Sequence, residues 1–311
     1  MSLMRTTLIA LSRNKNLQDL IVGVPLARKM ARRFVPGETL DDAIRAVRHL
    51  NDQGMLATLD HLGENVATAA EAVAAADEYL VALDALAEAG VRSNVSIKLT
   101  QMGMDLGDDF CFDNIRRIIA HAQELGNFVR IDMEGSEYTQ RTISMYRRLR
   151  KEFDNTGLVV QAYLHRTQAD VEALIADGMG HFRLCKGAYD EPATIAYRER
   201  AKVTQAMQTL ISTCFAPESR ARGAFAAVAS HDEDVVNFAR AYAHQHGMAP
   251  GEVEFQMLYG IRRELQSSLV QKGHQVRIYV PYGTHWYPYY MRRLAERPSN
   301  LLFFLRALVG D

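Results

Sequence analysis

Between Phe182 and Glu191 the chain reads FRLCKGAYDE, and three of its side chains can do chemistry: the Arg183 guanidinium, the Lys186 ammonium and the Tyr189 phenol. They close an otherwise apolar run. Cations in that position either bind an anion and steady developing negative charge, or pair with carboxylates on neighbouring strands for structure alone. For either residue taken singly the two readings are level. A second cluster is YPYYMRR, Tyr287 to Arg293, in which Arg292 and Arg293 follow Tyr289 by three and four residues. On a helix those spacings bring the ring toward either guanidinium. Two adjacent guanidinium forks suit a carboxylate, although paired arginines on a helix are usually solvated.

These residues need elements to position them. Eight apolar, β-branched runs recur along the chain: 55–61, 95–99, 129–134, 158–164, 182–186, 226–231, 253–258 and 276–282. Near-continuous apolar runs are what strands buried on both faces require. Between them lie helical segments, among them Asn65 to Ala89, Asp113 to Leu125 and Thr167 to Asp177, the last with Thr167 as a cap. Gly90, Gly126, Gly178, Gly247 and Gly273 mark helix stops. Strand and helix alternating eight times, with right-handed crossovers, predict a distorted (β/α)8 TIM barrel with additional N-terminal helices. The expected organisation is one catalytic domain over 1–311, with a helical region to residue 53, the barrel from 54, and the last helix over the active site. An open doubly wound sheet would announce a glycine-rich turn after its first strand, where Asp60 and His61 stand instead.

A barrel takes its catalytic groups from the C-terminal ends of its strands, and here those ends are polar. In order they carry Asp60 and His61; Lys98; Asp132 and Glu134; Gln161 and Tyr163; Arg183, Lys186 and Tyr189; Ser230 and His231; Gln256; and Tyr279 and Tyr282. One or two could be satisfied core polars. Eight consecutive ends point to a site. Lys98 or Lys186 as a Schiff-base amine would make a lyase. Metal-assisted hydrolysis through His61, His165 and His231 is weaker, because no HxH or HExxH concentrates ligands, and no metal is expected. A non-catalytic binding barrel would leave so many ionisable groups without a task.

Lys plus Arg number 36 against 37 Asp plus Glu, so no global charge favours nucleic acid. Three scattered cysteines, Cys111, Cys185 and Cys214, argue against a disulfide framework and for a reducing compartment. No run reaches the ~20 apolar residues of a spanning helix, and no signal peptide is read. Met1 to Gly37 carries seven basic residues, Arg5, Arg13, Lys15, Arg28, Lys29, Arg32 and Arg33, against Asp19 alone. Such a bias can touch an anionic membrane surface, but on charge alone solvated faces of helices packed on the barrel exterior are the stronger reading.

IKLTQMG (97–103), RIDMEGS (130–136), RLCKGAY (183–189), FQMLYG (255–260) and YMRRL (290–294), in order and at compatible spacing from about Gly54 onward, resemble the proline dehydrogenase family. The resemblance implies a distorted barrel that binds FAD without a Rossmann motif. It implies oxidation of L-proline to Δ1-pyrroline-5-carboxylate, the first step of proline catabolism, by hydride transfer to flavin N5, with electrons passed to a membrane quinone. By the same resemblance Arg292, Arg293 and Lys98 hold the proline carboxylate, and Asp132 supports that cationic cluster. Ala188, Tyr189, Leu258, Tyr279 and Tyr289 wall the pyrrolidine ring, with Tyr279 favouring proline over hydroxyproline. Flavin contacts fall to Gln161, Arg183, Lys186, Gly187, His231 and Gln256, with Thr284 and His285 as weaker candidates. Arg183 raises the flavin potential, and Glu64 pairs with the first arginine as a gate. Lys98, Asp132, Tyr279, Tyr289, Arg292 and Arg293 form the expected catalytic set. Asp190 departs from the family, where an aromatic often follows the tyrosine. A cytoplasmic protein, peripheral on the inner face of the cell membrane through its basic N-terminal segment, completes the expectation.

Overall fold

The computed structural model describes residues 31–63 and 65–296, with side chains to Arg293. Glu64 and most of the basic N-terminal segment, including Arg5, Arg13, Lys15, Arg28 and Lys29, lie outside the described residues.

Strand and helix alternate as α1 (Leu40–Asp52), β1 (Leu56–His61), α2 (Ala69–Glu88), β2 (Ser93–Ile97), α3 (Asp108–Glu124), β3 (Val129–Ile131), α4 (Ser136–Leu149), β4 (Thr156–Gln161) and α5 (Thr167–Ala176). They continue as β5 (His181–Cys185), α6 (Arg200–Phe215), α7 (Pro217–Ala221), β6 (Phe225–Ala229), α8 (Glu233–Gln245), β7 (Glu254–Leu258), α9 (Arg263–Gln271), β8 (Gln275–Tyr282) and α10 (Trp286–Glu296). The eight strands pair in parallel and close, β8 returning to β1 through Leu56↔Arg277 to His61↔Tyr282. The expected (β/α)8 barrel is the observed fold.

Each predicted strand is present, with shifted ends. β2 stops at Ile97 and β3 at Ile131, so Lys98, Asp132 and Glu134 stand just past the sheet. There they are free of the ladder's alternation. α2 begins at a Thr68 capping box, later than the sequence indicated, and α3 begins five residues earlier than expected, with Asp108 and Asp109 in its first turn. Acidic side chains suit that positive helix end. Thr167 is not a cap: α5 has Arg166 at that position, and the Thr167 hydroxyl donates to the Gln161 carbonyl at 2.6 Å. That bond ties the helix start to the end of β4.

The core lies between the barrel and its helical ring. Ile115, Ile118, Ile119 and Ala122 of α3 are fully buried, as are Val95, Ile97, Val129 and Ile131 of β2 and β3. Burying each such Ile or Val contributes roughly 1.5–3 kcal/mol. α1 packs on β1 and β8, with Ala43, Val47 and Leu50 as its buried residues.

Candidate active site

A cavity of about 390 Å³ opens at the C-terminal ends of the strands, lined by Asp60, Lys98, Asp132, Gln161, Arg183, Lys186, Gly187, Ala188, Tyr189, His231, Gln256, Leu258, Tyr279, Tyr289, Arg292 and Arg293 among others. That volume is within the usual range for small-molecule sites. The structure therefore brings together nearly all the candidate residues. Thr284 and His285 are exposed in the turn after β8 and do not line the cavity.

Asp132 is the hub. Its Oδ1 accepts from Arg183 Nη1 at 2.7 Å and from Ser96 Oγ at 2.7 Å. Its Oδ2 accepts from the Tyr279 hydroxyl at 2.8 Å and lies 3.8 Å from Lys98 Nζ. Lys98 is drawn more closely to Asp60, at 2.8 Å, and both are buried. Asp132 was expected to support the Lys98 and arginine cluster. Its shortest bond to a cation is instead to Arg183. Burial, with the Asp132 and Asp60 charges close by, pushes the Tyr279 phenol well above its ordinary range, so the hydroxyl stays a donor.

Arg183 is 4% exposed. Its Nε donates to Gln256 Oε1, its Nη1 also reaches Ser96 Oγ at 3.2 Å, and its guanidinium carbon stands 5.2 Å from the Tyr279 ring centroid. Its Nη2 is buried without a hydrogen-bond partner. A buried guanidinium held rigidly at the cavity wall fits an electron-rich group such as a flavin.

Around this centre the other cations are set differently. Lys186 Nζ donates to Asp232 at 2.6 Å and to Thr204 at 2.9 Å, and Arg200 shares the same carboxylate at 3.2 Å. Burial alone would raise the Asp232 carboxyl, but Lys186 and Arg200 outweigh it and hold it below the ordinary range. Lys98 and Lys186 are thus both ion-paired through the nitrogen that a Schiff base would need. Arg292 and Arg293 enter the cavity from α10, and the Arg293 guanidinium lies 5.1 Å from the Tyr289 ring centroid, as the spacing indicated. Gln161 donates to the Glu134 carbonyl at 2.8 Å. His231 Nε2 accepts from the Leu258 N–H at 3.0 Å, which leaves the ring proton on Nδ1.

Gly187 has φ +113, and a Cβ there would drive into the Tyr163 ring. The close approach it permits is therefore to Tyr163 within the protein. Asp190 turns outward to pair with Arg198 at 3.2 Å. The next residue, Glu191, is buried and accepts from Ser136 N and Oγ at 2.8 and 2.6 Å. The departure at Asp190 thus lies on the solvent side of a loop whose anchor is Glu191. Cys185 lines the cavity, but burial pushes its thiol up to about 11, far from a reactive thiolate.

His61 stacks on Tyr282 at 5.1 Å, His165 bonds the Ala193 carbonyl at 2.9 Å, and His231 is engaged with Leu258. Among the described residues no three His, Cys, Asp or Glu side chains gather as metal ligands. None of the described helices is long and apolar enough to cross a membrane. Sequence reasoning left Asp60 and Ser96 without roles and overlooked Asp232. Asp60 was legible only as a polar strand end, because its partner Lys98 stands just past the end of the next strand.

The family model described as proline dehydrogenase matches residues 43–306. Proline dehydrogenase 1 of Bacillus subtilis is 38% identical over 307 residues, spanning 99% of both chains. Proline dehydrogenase of Deinococcus radiodurans is 39% identical over 285 residues, 90% of each. Among solved structures, proline utilization A from Bdellovibrio bacteriovorus inactivated by N-propargylglycine superposes with a TM-score of 0.81 at 22% identity. That match covers 94% of this chain and 38% of the other, and shows the shared fold. With the family model over most of its length and relatives above a third identical end to end, the chain belongs to the proline dehydrogenase family.

Proposed function

We propose that this protein oxidises L-proline to Δ1-pyrroline-5-carboxylate with FAD as its cofactor and a quinone as the final acceptor. The observation that carries the reading is the pairing of two cationic sets across one cavity. Lys98, Arg292 and Arg293 line it from β2 and α10, and buried Arg183 lines it from β5, with Asp132 bonded to Arg183 and near Lys98. Bound FAD supplies the acceptor for the hydride that leaves the ring carbon beside the proline nitrogen.

The protein's own residues orient and stabilise. Arg292 and Arg293 grip the substrate carboxylate as forks, and Lys98 adds a third charge held in place by Asp60. Ala188, Tyr189, Leu258, Tyr279 and Tyr289 form the wall against the pyrrolidine ring, which offers no further polar handle. Arg183, fixed by Asp132 and Gln256 and lining the cavity, supplies a fixed positive charge that steadies negative charge accumulating on the cofactor. Gln161, Lys186, Gly187 and His231 complete the cofactor's surroundings. Lys186 reaches it from its bridge to Asp232. Glu64 gates the first arginine, and the basic N-terminal segment meets the membrane where the quinone resides.

The test is the visible spectrum of the purified, FAD-loaded chain under anaerobic conditions. Bleaching of the flavin band by L-proline is expected. A flavin band that L-proline leaves intact, or a chain that binds no FAD, would refute the reading.

A further inference from the structure

The hydrogen bonds that hold Arg183 continue below the site. Gln256 takes the Arg183 Nε–H on its carbonyl oxygen, and its amide nitrogen donates to Glu254 Oε1 at 2.5 Å. Glu254 is clasped from its far side by Arg277, whose Nε and Nη2 donate to Oε1 and Oε2 at 3.0 and 3.1 Å. Glu254 and Gln256 are two apart on β7, so both project from the same side of the strand. Arg183, Gln256 and Glu254 are all buried, and water does not compete for these bonds.

The roles along this chain are forced. A guanidinium only donates and an ionised carboxylate only accepts. Burial opposes the Glu254 charge, but Arg277 and Gln256 prevail and hold its carboxyl below the ordinary range. An amide set between a pure donor and a pure acceptor has one orientation, carbonyl toward Arg183 and NH2 toward Glu254. We propose that Glu254 is a positioning residue: by fixing the Gln256 amide it fixes the rotation of the Arg183 guanidinium, and so the placement of its charge beside the cavity. The inference rests on the reading of Arg183 as the cation beside bound flavin. With Glu254 neutralised the amide can flip, setting its NH2 against Arg183 Nε, donor against donor. The guanidinium must then turn, and its bond to Asp132 turns with it.

The experiment uses the FAD-loaded full chain and the variants Glu254→Gln, Arg183→Met and their combination. Glu254→Gln is expected to lower kcat for L-proline about tenfold, in line with losses of supporting partners at other sites, to keep KM within about twofold, and to make the bound-flavin potential more negative. Lost packing alone would lower Tm and leave the potential in place. In the Arg183→Met background the further change should nearly vanish, because the group through which Glu254 acts is gone. If Glu254→Gln does not hold FAD, Gln256→Met cuts the same link while keeping the Glu254 to Arg277 pair, and the same signature is expected. Wild-type potential and kcat in the variant that holds FAD, or effects that add fully in the double variant, would overturn the proposal. A wild-type chain that L-proline fails to bleach would instead sink the proposed function.

Discussion

Two buried arginines, on β5 and β3, occupy opposite ends of the barrel, and they are kept differently. Arg183 at the upper end has Asp132 at 2.7 Å, a second acceptor in Gln256 and one nitrogen buried without a partner, in a residue that lines the cavity. Among the described residues Arg130 at the lower end has no carboxylate within 4.0 Å; it donates to the His181 carbonyl and Nδ1 at 3.0 and 3.1 Å, lies 4.9 Å from the Phe128 ring centroid, and its Nε is buried without a partner. Burial, with the Arg183 charge adding to it, brings the Arg130 guanidinium down to about 9. A second cavity of about 340 Å³ opens there, yet its ionisable groups are spent within the protein: Arg277 on Glu254 and the Ala57 carbonyl, Arg130 on His181. Polar strand ends alone do not mark chemistry. What separates the upper end is the number of charges gathered on one cavity, Asp60, Lys98, Asp132, Arg183, Lys186, Arg292 and Arg293, for each of the two arginines has one buried nitrogen without a partner.

The largest effect expected is that of Asp132→Ala. It strips the carboxylate from Arg183, Tyr279 and Ser96 together and leaves a buried cation uncompensated, at a cost of about 3–5 kcal/mol of stability, with proline oxidation lost. Denaturant unfolding and steady-state kinetics check both; a stable, active variant would erase the distinction between the two ends.

Next come Arg292→Lys and Arg293→Lys, each replacing a fork by a point charge. Either should raise the proline KM about tenfold, equivalent to about 1.4 kcal/mol, with FAD retained. Unchanged KM in both would remove the carboxylate assignment.

At the lower end the expected signal is in stability. Burial, then Arg130 and Arg150, depress His181 to about 2, so it stays neutral in the folded chain while the unfolded chain takes up a proton below about 6.5. The unfolded state binds more protons in that window, and stability falls as pH falls, by up to about 1.4 kcal/mol per pH unit. Between about pH 6.5 and 5, above the carboxylate range, His181→Phe should flatten the slope, as followed by denaturant unfolding. An unaltered slope would assign the acid sensitivity elsewhere.

The barrel was legible because strands buried on both faces are predominantly apolar, and all eight runs were. Their ends were less so: Lys98 and Asp132 read as strand residues but stand past β2 and β3, where side-chain bonding takes over from the ladder. Arg292, Arg293 and Tyr289 could be placed because type and helical spacing suffice for them, and Arg183 because it lies on a strand that carries a family motif. Asp60 with Lys98, Asp232 with Lys186, and Glu254 behind Gln256 could not. The first two depend on partners brought together from different strands and loops, and the third takes its meaning from Arg183 and Arg277 on other strands; local periodicity carries no sign of that. The polar start of β5 and its neighbours, His181 beside Arg130, went unread for the same reason.

The most direct test sets the two arginines against each other. FAD-loaded Arg183→Met and Arg130→Met are mixed with L-proline anaerobically, and the rate of flavin bleaching is followed in a single turnover. Arg130→Met should bleach at the wild-type rate, while Arg183→Met should slow by about a hundredfold, the scale on which a charge-stabilising donor acts. Equal rates in the two variants would contradict the claim that the upper arginine serves the chemistry and the lower one the fold.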